Sequence, residues 1–114
     1  MANDNPHTAA PAAPNTPLQP TAAVPSPMAL QGVKVVEMGQ LIAGPFCGKT
    51  LGEFGADVVK IEATGTGDPL RNWRLMQDGT SVWWQVQSRN KKSGALDLRQ
   101  KEAQDIARQL MAEA

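Results

Sequence analysis

Two short β-branched runs flank a glycine-bounded amphipathic stretch within about 30 residues, and that spacing restricts the chain to a strand–helix–strand unit with parallel strands. Val33, Val35, Val36 and Met38 predict a buried strand, and Gly39 a turn after it. Gly44 is a candidate helix cap, and Pro45 sits at the first helical position, where a missing N–H is tolerated. Cys47, Leu51 and Phe54 recur at i, i+4 and i+7, which predicts one apolar helix face. Gly55 suits a left-handed helix end. Val58, Val59 and Ile61 predict the second strand, reached by a right-handed crossover.

Beyond this unit the pattern is less regular. Residues 63 to 80 read as a long loop, rich in Gly, Thr, Asp and Pro, of the kind that often carries function. Ser81 to Val86 is apolar but too short to separate helix from strand. Lys92 to Leu98 predicts a strand with Ala95, Leu96 and Leu98 as its apolar members. Ala103, Ile106, Ala107, Leu110 and Met111 predict an amphipathic helix. A sheet of about three strands has little to cover both faces. The last helix carries no glycine or proline stop, and the expectation is a domain cut short.

The first 29 residues are set apart as a flexible Pro- and Ala-rich tail. Seven of the nine prolines and a single charge, Asp4, lie in the first 28. The prolines interrupt any apolar stretch long enough for a signal peptide, and the segment is not Arg-rich like a transit peptide. A docking segment for a proline-binding partner is the alternative. The only histidine, His7, lies here and reads as a solvated residue.

Eleven basic and eleven acidic residues balance, so no net field favours nucleic acid or an anionic membrane. No apolar run approaches the roughly 18 residues needed to span a bilayer. The single cysteine, Cys47, precludes an internal disulfide and supplies no metal cluster. A reducing cytoplasm is the expected setting.

Four local features each have a functional and a blander explanation. Ala43 to Thr50 fits a relaxed phosphate-loop pattern, which would make the chain a nucleotide hydrolase. Against that, Ala43 replaces the first glycine, Phe46 and Cys47 are bulky, and four residues separate the strand from the loop. Gly65-Thr66-Gly67 is followed by Asp68-Pro69 and not by a helix, so a turn explains it better than a dinucleotide fingerprint. Arg89, Lys91, Lys92 and Arg99 form a basic cluster, either a solvated face or a phosphate site. Trp73, Trp83 and Trp84 read as packing residues, with ligand stacking as the lesser alternative.

Several segments, in order, carry a resemblance. They are Leu30 to Glu37, Ala43 to Phe46, Gly52 to Glu62, Gly65 to Pro69 with Arg71, Asn90 to Ser93, and Leu96 to Arg99. Together residues 30 to 114 resemble the opening of family III coenzyme A transferases, the carnitine dehydratase and bile-acid-inducible protein group. The resemblance implies an α/β subunit with an incomplete Rossmann-like parallel sheet, the N-terminal part of a larger subunit that interlocks as a homodimer. It implies transfer of coenzyme A from an acyl thioester to a carboxylic acid through an aspartyl intermediate. Acyl-CoA and a carboxylic acid are then the partners, with no tightly bound cofactor. Some relatives are racemases that move a proton instead. The nucleophilic aspartate has no counterpart in this chain, so no catalytic and no metal-ligating residue is assigned. Gln40, Leu41, Ile42 and Ala43 match a loop lining the coenzyme cleft. Leu96, Leu98 and Arg99 match a strand end that contacts the nucleotide, with Arg99 the phosphate candidate. Ala63 stands where some members have a coenzyme-binding arginine, and Ile42 where some have a glutamine. A coenzyme-binding or interaction module without activity is the alternative function.

Overall fold

The computed structural model describes residues 26–114; the Pro-rich segment up to residue 25, His7 included, lies outside the described residues. The elements in order are β1 (Lys34–Glu37), α1 (Ala43–Glu53), β2 (Asp57–Glu62), the two-residue strands β3 (Met76–Gln77) and β4 (Thr80–Ser81), α2 (Val82–Gln87), β5 (Lys91–Ala95) and α3 (Lys101–Ala112). A 3-10 turn, Pro69–Asn72, stands between β2 and β3. The fold is α/β. A three-stranded parallel sheet runs β1-β2-β5, and β3 and β4 form a separate antiparallel hairpin. No helix among the described residues is long and apolar enough to cross a membrane.

The strand–helix–strand unit forms as expected, but its buried surfaces differ from the pattern. Val33 and Met38 fall outside β1 and are 44% and 43% exposed, and the buried member of the strand is Glu37. Pro45 occupies the third helical position, still within the first turn, where its missing N–H has no partner to lose. The apolar face predicted from Cys47, Leu51 and Phe54 is not the one that packs. Cys47 is exposed, Phe54 is 56% exposed, and α1 buries Pro45, Gly48 and Gly52. The reason is distance. A Cβ on Gly48 would sit 2.1 Å from Glu37 Oε2, and one on Gly52 3.0 Å from the Asn90 carbonyl oxygen. Only a glycine stripe lets this helix lie so close to the sheet.

The region 63 to 80 is not structureless. Asp68 caps the 3-10 turn by accepting the Leu70 N–H, and Leu70 is wholly buried. The ambiguous segment resolves as α2, because the Ser81 hydroxyl accepts the Trp84 N–H as an N-cap. Strand β5 ends at Ala95, so Leu96 and Leu98 lie beyond it, although the Leu96 N–H still reaches the Glu62 carbonyl. Asp97, placed in a strand by the sequence pattern, sits in the turn that follows. Helix α3 packs on β1 and buries Ala103 and Ala107, while Ile106 and Met111 stay exposed.

Strand register sorts side chains by face. Val35 pairs with Val58, Glu37 with Lys60, Val58 with Lys91 and Lys60 with Ser93. Alternation therefore puts Glu37, Lys60, Glu62, Lys91 and Ser93 on one face with Val35 and Val58. That is the face beneath the glycine stripe, since the imagined Gly48 and Gly52 methyls meet Glu37, Lys91 and Val58. The layer between helix and sheet is thus largely ionic.

Candidate functional site

The carboxyl ends of β1, β2 and β5 open into a cleft of about 380 Å³, walled by Met38, Gln40, Ile61 to Thr64 and Leu96 to Arg99. In open parallel sheets this is where ligands bind. Of the residues singled out in the sequence, Gln40, Leu96, Leu98 and Arg99 come together on this cleft. Leu41, Ile42 and Ala43 do not line it. Leu41 lies in the turn before α1, Ile42 is the helix N-cap position and is 53% exposed, and Ala43 begins the helix. Ala63 is on the wall, in the place where an arginine could have reached a ligand.

Arg99 does not face the cleft as a free cation. Its Nε and Nη2 donate to Asp97 Oδ1 and Oδ2 at 2.8 and 2.9 Å, across two residues of one turn. The Asp97 carboxylate holds the guanidinium pKa up, and Arg99 in turn holds the Asp97 carboxyl below its usual range. The other members of the basic cluster point elsewhere. Arg89 pairs with Glu53, Lys92 pairs with Asp57, and Lys91 is buried against Glu37. They are separate ion pairs and not one patch.

Ala43 to Thr50 is helix, and this removes the phosphate-loop reading. The Phe46 N–H bonds the Ile42 carbonyl, Lys49 pairs with Glu53 at 3.3 Å, and the Thr50 hydroxyl donates to the Phe46 carbonyl. Neither the lysine nor the hydroxyl is free for a nucleotide. The tryptophans pack. Trp73 and Trp83 lie 5.6 Å apart between ring centroids, and Arg71 stacks on Trp84 at 3.8 Å.

Beside and behind the cleft lies a buried ionic set of which the sequence pattern marked only Lys91, as part of the basic cluster. Lys60 Nζ donates to Glu37 Oε1 and to the Gly39 carbonyl at 2.7 Å each, and lies 2.7 Å from Asp68 Oδ2. Lys91 Nζ lies 2.6 Å from Glu37 Oε2 and donates to the Pro45 carbonyl at 2.7 Å. Burial lowers the Lys91 pKa, and the Glu37 carboxylate only partly offsets it. Asp68 Oδ1 accepts the N–H groups of Leu70 and Leu41 at 2.8 and 3.1 Å. Glu62 accepts from Arg71 twice, from the Ser93 hydroxyl and from the Asp68 N–H. Two alternating strands, Glu37 in β1 and Lys60 and Glu62 in β2, supply most of it. Their period of two was the available signal, masked because the same strands carry β-branched residues on both faces.

Glu62 makes the fold sensitive to acid. Burial pushes its carboxyl up, but Arg71, Ser93 and the Asp68 N–H outweigh it and bring the pKa from 4.5 to about 2. A depressed carboxylate stabilises fully above its unfolded pKa and loses that contribution as pH falls through the folded one. The melting temperature should therefore fall between pH 4.5 and about 2, and fall less steeply in Glu62→Gln. Parallel profiles for the two proteins would refute this.

The model of CoA-transferase family III matches residues 30–114. The chain is 48% identical over 86 residues to the succinyl-CoA–D-citramalate CoA-transferase of Chloroflexus aurantiacus, covering 75% of this chain and 21% of that protein. It is 38% identical over 84 residues to human succinyl-CoA:glutarate CoA-transferase, covering 73% of this chain and 19% of that protein. A crystal structure of a CaiB/BaiF family protein from Brucella suis superposes with a TM-score of 0.70 at 36% identity, covering 78% of this chain and 25% of that one. The chain thus spans about a fifth of the length of the curated relatives it matches.

Proposed function

Because the chain belongs to CoA-transferase family III, we propose that it furnishes part of the coenzyme A site of an enzyme that moves coenzyme A from an acyl thioester to a carboxylic acid. The observation that carries this reading is the meeting of Gln40, Leu96, Leu98 and Arg99 on one cleft at the carboxyl ends of the parallel strands. Leu96 and Leu98 offer apolar surface to the coenzyme, and Arg99 offers a planar cation to its phosphates. Asp97 holds that cation in place but must share it when a phosphate arrives.

The proposed chemistry is covalent. An aspartate carboxylate attacks the donor thioester, giving a mixed anhydride and free coenzyme A thiolate. The thiolate attacks the aspartyl carbonyl, which releases the donor acid and leaves an enzyme thioester. The acceptor carboxylate attacks that thioester, and the expelled thiolate closes on the new acyl group and frees the aspartate. None of Asp57, Asp68, Asp78, Asp97 or Asp105 matches that nucleophile. Asp68 is held by Lys60 and two backbone N–H groups, which suits a structural carboxylate. The nucleophile is therefore assigned to sequence outside these 114 residues. The two transferases named above carry succinyl-CoA in their names, with citramalate and glutarate beside it, which supports a succinyl donor and a small dicarboxylic acceptor. The proposed setting is the cytoplasm, and the proposed assembly of the full-length enzyme is a homodimer.

Calorimetric titration of this chain with coenzyme A tests the reading. Saturable binding is expected, weakened about tenfold by Arg99→Ala. Pantetheine, which lacks the nucleotide phosphates, should not respond to the substitution. Absence of saturable binding, or equal affinity of the variant, would overturn the assignment.

A further inference from the structure

The turn between β1 and α1 is gripped at both ends by one buried ion pair. Lys60 Nζ donates to the Gly39 carbonyl at 2.7 Å, and Asp68 Oδ1 accepts the Leu41 N–H at 3.1 Å. Gln40, between them, is exposed and stands on the wall of the cleft. Lys60 and Asp68 are each 1% exposed, lie 2.7 Å apart, and do not line the cleft themselves. Whatever they do to a ligand they do through the turn.

The turn needs such a grip. Leu41 has φ 61°, a left-handed conformation in which a leucine Cβ crowds its own backbone. Nothing in the sequence prefers that conformation, so the surroundings must impose it. The Leu41 N–H points to a carboxylate oxygen that also caps the next loop through Leu70. The same Asp68 thus ties the loop after β1 to the loop after β2. These two loops supply Met38 and Gln40 on one side of the cleft and Ala63 and Thr64 on the other.

We infer that Asp68, anchored by Lys60, is a positioning residue that locks the Gly39–Leu41 turn and thereby sets Gln40 in the wall of the coenzyme cleft. The inference rests on the coenzyme reading for its function, but its structural half stands alone.

The test separates the two. Asp68→Ser keeps a short oxygen that can cap Leu70 but does not reach Leu41. Asp68→Asn keeps an acceptor at full length. Ser81→Ala is the control; it removes the α2 cap without touching the turn. Amide hydrogen exchange at Leu41 and coenzyme A affinity are measured on all four proteins. Faster Leu41 exchange and about tenfold weaker coenzyme A binding are expected for Asp68→Ser, with substantial recovery in Asp68→Asn and neither change in Ser81→Ala. Unchanged Leu41 exchange in Asp68→Ser overturns the inference whether or not the ligand binds. Faster exchange with unchanged affinity overturns the link to the cleft. If the native chain fails to bind coenzyme A at all, the coenzyme reading and that link both fall, and Leu41 exchange alone decides whether Asp68 locks the turn. An equal loss of affinity in Ser81→Ala would reduce Asp68 to general stability and sink the positioning role.

Discussion

Replacing Lys60 by Met is expected to remove about 3–5 kcal/mol of stability, read as a lower urea midpoint with an unchanged slope. The ammonium is 1% exposed and answers two carboxylates, Glu37 and Asp68, as well as the Gly39 carbonyl. Without it Glu37 still has Lys91, but Asp68 is left as a buried charge with only N–H groups to satisfy it. The exposed pair Asp105 and Arg108 is the comparison. Arg108→Ala should shift stability by less than about 1 kcal/mol, because exposed pairs gain little in water. A second substitution, Asp68→Asn, should recover part of the Lys60→Met loss by removing the stranded charge. A single-variant loss under about 1 kcal/mol would mean that water reaches the pair, contrary to its burial.

Gly44→Ala should cost about 2–3 kcal/mol, although alanine favours helix by about 1 kcal/mol. The added methyl would lie 2.5 Å from the Gly39 Cα, backbone against backbone, and neither partner is the free end of a flexible side chain. The turn carrying Gln40 must move away from α1, so coenzyme A binding should weaken together with stability. Gly94→Ala, in β5, meets open space and should be neutral or slightly stabilising. If both variants melted like the native chain, the close approach of turn and helix would be wrong.

The sequence pattern carried the order of elements well, because the strand, helix and strand are short and each is marked by its own chemistry. β-branched residues marked Val58 to Ile61, and Gly55, with φ 102°, marked the helix end. It misled on which surfaces are buried. Phe54 looked like core because apolar periodicity assumes that burial follows hydrophobicity, whereas α1 is placed by the absence of side chains at Gly48 and Gly52. The loop 63 to 80 hid a 3-10 turn, since Asp68-Pro69 reads as a break until Asp68 is seen to cap Leu70. On the site, Gln40, Leu96, Leu98 and Arg99 were placed on a common cleft only through the resemblance, since their spacing of more than fifty residues leaves no local trace. The ionic layer was not anticipated. Glu37, Lys60 and Lys91 lie 23 and 31 residues apart in sequence, and only the parallel register makes them neighbours.

That register has a consequence for how the chain acquires its structure. Glu37 is satisfied by Lys60 from the second strand of the sheet and by Lys91 from the third. A partly assembled species with β1, α1 and β2 in place, but β5 undocked, would leave two buried carboxylates, Glu37 and Asp68, to share the single ammonium of Lys60. Such a species is penalised electrostatically before any hydrophobic term is counted. Docking of the last strand and closure of the charge layer are therefore one event, and the described core should unfold as a single cooperative unit without a two-stranded stopping point.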